Sequence, residues 1–363
     1  MDTSTSLEDG GPTAARAPAD RGSKPRPSYG PSWVNVLASW MEGLPGPTWV
    51  SYGAGIAVGV LASSQQVGGN GTPAQQLLGV AYYGALPFAT LALIHRLDGL
   101  ASRALSAIRP MLQTDDDEFT AMRRELTIAP ARPAWILLVA AFVMTIASFI
   151  IDPVGSQITG YAPLALALRT LWEGLITAIF LILIYHTIRQ LRLISSTIDR
   201  VATIDLFDQA PLYAMSRLTS TTAIGLILLL LPSLFLLPTA ADVSYVIISI
   251  GWYSLAVLIA GAAFILPLRG VHDRLVRAKR DLQGEVGRRL SATLVQIHDG
   301  VDARDASAMD AAHRALSTLI AERDLVNRIP TWPWSTGALT GFLSAVLLPI
   351  ALFIAQRALG QFI

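Results

Sequence analysis

Apolar residues gather along this chain in long runs that are separated by short polar or charged segments. The runs are about 17–26 residues long, which is the length that a helix needs to cross a hydrocarbon core of about 30 Å. The pattern predicts an all-α, polytopic membrane bundle, because only helices and closed barrels satisfy their backbone groups in lipid. We predict seven spans, at about 48–64, 75–95, 134–151, 163–187, 221–238, 243–268 and 335–355.

The segments that flank these spans predict the domain organisation. Residues 1–31 are rich in Pro, Gly and Ser and have no apolar stretch, which predicts a disordered cytoplasmic tail and no cleaved signal peptide. Residues 32–47 are typical of a short helix in the membrane interface. Residues 48–268 then form a six-span bundle with basic linkers, and residues 331–363 form the seventh span and a short outer C-terminus. The apolar face of the interfacial helix is formed by Trp33, Val36, Leu37 and Trp40.

Residues 269–330 form the largest predicted part outside the membrane. Apolar residues recur there at helical spacing, the stretch HDGVDARDAS (298–307) predicts a turn, and a second helical stripe follows. This pattern predicts an antiparallel helical hairpin. Two lone helices cannot bury both stripes, so we expect the hairpin to pack on other segments or on another subunit. The stripes are Leu275, Leu282, Val286, Leu290, Leu294 and Ile297, followed by Ala312, Leu316, Leu319 and Ile320.

Positive charge gives the predicted orientation. The segments before the first span and after the second, fourth and sixth spans hold 4, 6, 4 and 11 Lys or Arg, which is 25 of the 27 in the chain. The three other loops between spans hold none. The positive-inside rule therefore predicts a cytoplasmic N-terminus, an outer C-terminus and a cytoplasmic hairpin.

Composition agrees with a membrane protein and excludes some classes. The chain is 52% hydrophobic and 15% charged, whereas soluble domains average about 25% charged residues. With no cysteine it has no disulfide, thiol nucleophile or thiolate metal site. The only lysines, Lys24 and Lys279, lie outside the spans, which excludes a retinal Schiff base. Arginine predominates over lysine, as in GC-rich bacterial genomes, and we predict a bacterial inner-membrane location.

Arg169 and Glu173 are the charges that stand out, because both lie inside the fourth predicted span. They are four positions apart, so one turn of helix can bring them together. A charge at the centre of a membrane helix costs about 2.5–3.5 kcal/mol, and such residues commonly mark a pathway or a ligand site. The alternative is a buried pair that fixes helix packing.

Three of the five histidines, His95, His186 and His272, lie at the predicted cytoplasmic ends of the second, fourth and sixth spans. Histidines at one depth on neighbouring helices can ligate haem or a metal, or relay protons. The inner interface is also where a histidine without such a role would lie. No cofactor is predicted, and haem or metal binding at this histidine rim stays an open alternative.

Four further stretches have local interpretations. The acidic run TDDDEF (114–119) predicts a helix N-terminus in preference to a divalent-cation site. The apolar stretch 204–220 predicts an interfacial loop, with a gate or docking element as the alternative. The pairs Gly55/Gly59 and Gly337/Gly341 fit G-x-x-x-G, for which we expect close packing within the bundle in preference to a dimer contact.

No nucleotide, protease or hydrolase motif is present in the sequence, so no enzyme class is assigned. The arginines of the inner segments alternate with acids, which suits anionic lipid headgroups and argues against nucleic acid. The sequence therefore favours a transporter or channel subunit with a polar site at Arg169 and Glu173. The alternative is a signalling or scaffolding module that binds a cytoplasmic protein, or a second copy in a homo-oligomer, through the hairpin.

Overall fold

The computed structural model describes residues 30–64, 73–112, 114–151, 161–198, 206–207, 210–236, 243–304 and 306–359, so most of the predicted tail lies outside the described residues. Within these ranges the chain forms eleven α-helices. They are α1 (Trp33–Glu42), α2 (Thr48–Ser63), α3 (Pro73–Ile108), α4 (Asp116–Thr127), α5 (Ala131–Ile151), α6 (Pro163–Ile198), α7 (Ala210–Phe235), α8 (Val243–Ile265), α9 (Arg269–Ala303), α10 (Ala306–Arg328) and α11 (Thr336–Leu359).

Six of the described helices are long and apolar enough to cross a membrane. They correspond to the second to seventh predicted spans. The first predicted span forms α2, which has 16 residues and is therefore about 24 Å long, short of a hydrocarbon core. Large apolar side chains such as Trp135, Val139 and Leu347 point away from the bundle, as a lipid-facing surface requires. The described part of the chain is all-helical, and its long apolar helices indicate a membrane protein.

The core lies where α3 packs on both α6 and α7, and it includes Leu91, Leu97, Ile182 and Leu183. Helices α3 and α6 have 36 residues each, about 54 Å of helix. Both therefore extend well beyond a hydrocarbon core, and the parts of α3 and α6 outside the core contact α4.

The predicted loop at 204–220 is wrong for most of its length, because α7 begins at Ala210. Leu212, Met215 and Leu218 are buried in the core against neighbouring helices. The apolar residues that made this stretch unusual for a loop are the buried face of a helix. Pro211 lies in the first turn of α7, where proline is tolerated, and burial of the apolar face stabilises the helix.

The Gly55/Gly59 pair packs within the bundle, as predicted, because α2 and α3 cross there in close contact. A Cβ at Gly55 would lie 2.4 Å from the Phe88 ring, and a Cβ at Gly59 would lie 2.1 Å from the Gly84 carbonyl oxygen. The Gly337/Gly341 pair of α11 makes no such close backbone contact. A Cβ at Gly337 would meet nothing within 4 Å, and a Cβ at Gly341 would make an ordinary contact with Ile224.

Helices α1 and α4 gather at one end of the bundle, which we call the basic end. Asp115 caps α4 by accepting from the backbone N–H of Glu118, so the acidic run begins a helix as predicted. Helix α1 is present, but Val34 and Met41 are its buried residues, while Val36 and Trp40 are exposed. Its position is fixed by hydrogen bonds to the chain before α5, so tertiary contacts decide which face is covered.

Helices α9 and α10 form an antiparallel pair over the segment predicted as a hairpin. Helix α9 continues to Ala303, and the turn occurs at Arg304 in the left-handed conformation. The turn therefore lies within the predicted stretch 298–307, although the first six residues of that stretch are still helical. Helix α8 leads into α9 through a single 3-10 turn, Leu266–Leu268, so the helical course is unbroken from the membrane to the tip of the hairpin.

Candidate functional site

The charged pair of α6 forms within one helical turn. Arg169 Nε donates to Glu173 Oε1 at 2.7 Å, and the side chains are 11% and 26% exposed. The Arg169 guanidinium also lies near the rings of Phe149 and Tyr161, at 5.7 and 5.3 Å from their centroids. A carboxylate and two aromatic rings therefore stabilise this cation where water is scarce.

The surroundings of this pair are those of a helix contact. Helix α5 packs mainly on α6, and next to the pair a Cβ at Gly174 would lie 2.7 Å from the Phe142 ring. Such close approach holds the two helices together at the depth of Glu173. The pair therefore lies beside a close contact between two helices, and a transport role would require a polar route that passes this contact.

The three histidines are held by separate partners. His95 Nδ1 lies 2.5 Å from Glu42 at a half-exposed position. His272 Nδ1 donates to the Thr331 carbonyl oxygen at 3.0 Å. His186 lies elsewhere, in the interior. Among the described residues, no three His, Asp or Glu side chains come close enough together to hold a metal ion.

His186 belongs to a buried polar network at the basic end. Its Nε2 lies 2.6 Å from Asp98 Oδ1, which links α6 to α3. Gln190, one turn along α6, donates from Nε2 to the same oxygen at 3.1 Å and to the Leu126 carbonyl oxygen at 3.0 Å, which links α4. Asp98 is not among the site residues that the sequence predicts. The available signal was an acid placed directly after a span, inside an otherwise basic stretch.

Two polar side-chain atoms of this network have no protein partner among the described residues. They are His186 Nδ1 and Gln190 Oε1, and the hydroxyl of Thr187 beside them is likewise buried without a partner. Because buried polar atoms are normally hydrogen-bonded, this cluster suits a small hydrogen-bonding molecule such as water. The His186 side chain is 1% exposed.

A stack of five rings connects the hairpin to the membrane helices. His272 of α9 stacks on Trp332 at 4.0 Å between centroids, and Trp332 stacks on Trp334 at 4.3 Å. Trp334 then stacks on Phe264 of α8 at 4.9 Å, and Phe264 on Phe342 of α11 at 4.7 Å. The base of the hairpin is thus packed against both helices that lead into and out of it.

Polar contacts fix the register of the hairpin near this base. Lys279 Nζ donates to the carbonyl oxygens of Asn327 and Ile329, both at 2.8 Å. Gln283 Nε2 donates to Asn327 Oδ1 at 2.8 Å. These bonds place residue 283 of α9 level with residue 327 of α10. Since the helices are antiparallel, Leu290 is level with Ile320 further out.

The two faces of the hairpin differ in chemistry. One face has a groove of about 660 Å³ between α9 and α10. Its lining is mixed. The apolar part is formed by Leu290, Leu294, Leu316 and Ile320, and the polar part by Gln283, Ser291, Arg323 and Asn327. We call it the hairpin groove.

The opposite face of the hairpin has more charged residues in its lining. It is lined by Arg289, Thr293, Arg314, Thr318 and Glu322, together with three apolar residues. Leu294 and Ile320 are 44% and 46% exposed. The hairpin groove therefore has four large apolar side chains, of which the described residues leave Leu294 and Ile320 exposed, whereas the opposite face has three charged residues and a single leucine.

Comparison with known proteins adds no assignment, since no protein-family model, no curated protein and no solved structure matches the chain. The class of this protein is therefore inferred from its sequence and structure alone. The apolar helices indicate a membrane protein, and the candidate sites are the hairpin groove, the His186–Asp98 network and the Arg169–Glu173 pair.

Proposed function

We propose that this protein is a membrane-anchored signalling or scaffolding module that binds another protein through the hairpin groove. The observation that supports it best is the unbroken helical course from α8 into α9. A partner that binds the hairpin acts on a helix that continues into the membrane. The ring stack at the base also ties that helix to α11.

The proposal places the hairpin in the cytoplasm of a bacterium, with seven crossings of the inner membrane when α2 is included. The distribution of Lys and Arg supports this orientation. Within α9 the basic residues concentrate towards the membrane end, where anionic headgroups would attract them. They are Arg269, Arg274, Arg277, Lys279 and Arg280.

Site-specific photo-crosslinking in intact cells tests this proposal. A benzophenone amino acid replaces Leu294, in the hairpin groove, in the full chain. The matched control carries it at Thr318, which is exposed on the opposite face of the same hairpin. We expect a discrete protein adduct from position 294 and none from position 318. Absence of an adduct at 294, or equal adducts at both positions, contradicts the proposal.

Transport is the second candidate function, and the buried His186–Asp98 network favours it. A transport pathway needs polar groups that can exchange protons or ions inside an apolar bundle. This network provides a carboxylate and an imidazole, with polar atoms that have no partner among the described residues. In this proposal the Arg169–Glu173 pair forms a second polar position on the same helix, α6.

Proton and cation flux in liposomes tests the second candidate. The full chain is reconstituted, and the wild type is compared with Asp98→Asn and Glu173→Gln. We expect Asp98→Asn to abolish flux, because an amide cannot exchange a proton with His186. Loss of flux in Glu173→Gln would extend the pathway to the pair. Absence of flux in the wild type under any gradient contradicts transport.

A further inference from the structure

The hairpin groove has the form of a helix-binding surface. Leu290 and Leu294 are four positions apart on α9, and Leu316 and Ile320 are four positions apart on α10, so each pair lies on one face of its helix. The four side chains form two rows with a channel between them. An amphipathic helix or helix pair could bury this surface by fitting its own apolar residues into that channel.

Two glycines on α9 support close approach of such a partner. Gly287 lines the groove, and a Cβ built on it would meet nothing within 4 Å. Gly284, one turn earlier, would meet only the tip of the Arg288 side chain at 3.9 Å. Glycine inside a helix is less stable than alanine, and no described contact within the chain requires it here. Close packing by a partner helix would require it.

A second copy of the chain fits the groove, because two-fold symmetry lets the two grooves face each other and holds them at the same distance from the membrane. In a two-fold arrangement about the membrane normal, two grooves that face each other place α9 of one copy against α10 of the other. Each helix then has antiparallel neighbours, as in an up-and-down four-helix bundle. Because both copies rise from one membrane, Leu290 of one is automatically level with Ile320 of the other.

Charge at the edges of the groove agrees with this arrangement. Arg288 of α9 and Asp324 of α10 are both exposed. They lie beside the groove and are not part of its lining, in which Arg323 is the charged residue. By the register given above, Arg288 is level with residue 322, about 3 Å along the axis from Asp324. With α9 against the partner's α10, these opposite charges meet, and the two-fold axis repeats the contact.

We propose that two copies of this protein pair in the membrane through their hairpin grooves and form a four-helix bundle outside it. This inference rests on the proposed function and identifies its partner as a second copy. Binding of the groove to a different protein would leave the proposed function intact and overturn the inference.

Disulfide crosslinking is a direct test, because the natural chain has no cysteine. Full-length chains with Leu290→Cys and one affinity tag are expressed in the same membranes as chains with Ile320→Cys and a second tag. We expect mild oxidation to give a product that contains both tags. The matched control pairs Leu290→Cys with Thr318→Cys on the opposite face of the hairpin, for which we expect none. Equal yields in both pairs, or no mixed product, overturn the proposal.

A charge reversal guards against variants that merely fail to fold. Arg288→Asp should weaken dimerisation in nanodiscs about tenfold, since two edge pairs are lost. Adding Asp324→Arg to it should restore dimerisation, because the reversed charges again meet across the two-fold axis. A double variant as weak as the single one overturns the proposal. If the photo-crosslinker at position 294 captures another protein while no mixed disulfide forms, only the second-copy inference fails.

Discussion

The crossing of α2 and α3 gives the sharpest stability prediction, because it is a contact between two backbones. A Cβ on Gly59 would lie 2.1 Å from the Gly84 carbonyl oxygen. A carbon and an oxygen normally stay about 3.3 Å or more apart. Gly59→Ala therefore forces the two helices apart by about 1 Å, and no side-chain rotation can relieve the overlap.

The expected cost follows from this geometry. Overpacking a close-packed site destabilises a protein by about 1–3 kcal/mol, whereas replacing a helical glycine by alanine stabilises the helix by about 0.5–1 kcal/mol. We expect Gly59→Ala to lower the free energy of unfolding by about 1–2 kcal/mol. Separation of α2 also weakens the packing of Phe88, which lies against Gly55.

Reversible unfolding of the full chain by SDS in mixed micelles, followed by tryptophan fluorescence, measures this change. The matched control is Gly53→Ala on the same helix, where a Cβ would meet nothing within 4 Å. We expect the control to be neutral or slightly stabilising. If both variants shift the midpoint equally, the reasoning from backbone contact is refuted.

Two further predictions use the same measurement of unfolding. Arg169→Leu should destabilise the protein by about 2–3 kcal/mol, because it leaves the Glu173 carboxylate unpaired in the membrane. Glu173→Gln should destabilise it less, because the glutamine still offers an acceptor to Arg169. Equal effects of the two substitutions would contradict the pairing. Lys279→Met should remove two hydrogen bonds to the end of α10. We expect it to lower the free energy of unfolding by about 1 kcal/mol and to speed amide hydrogen exchange in the last turn of α10. Unchanged exchange would show that these bonds do not stabilise that turn.

Periodicity and charge predicted most elements of this fold. The long apolar runs predicted the spans because a bilayer imposes a minimum length on each helix. The helical stripes of 269–330 predicted the hairpin because spacing alone defines which residues share a face. The Arg169–Glu173 contact was also predictable, since both residues lie on one helix one turn apart.

Other features depended on contacts between distant segments. The 204–220 stretch looked like a loop because its apolar residues had no visible partner, whereas α7 buries them in the core. Asp98 was not singled out because its partner, His186, is 88 positions away.

The sequence by itself determined the class of this protein, the six long apolar helices and the one-turn ion pair, because bilayer thickness and helical spacing act locally along the chain. Only the tertiary structure decided which polar groups meet in the interior, which glycines touch a neighbouring backbone and which apolar side chains of the hairpin stay exposed. These depend on how helices far apart in sequence pack together, and hydrophobic periodicity does not specify that choice.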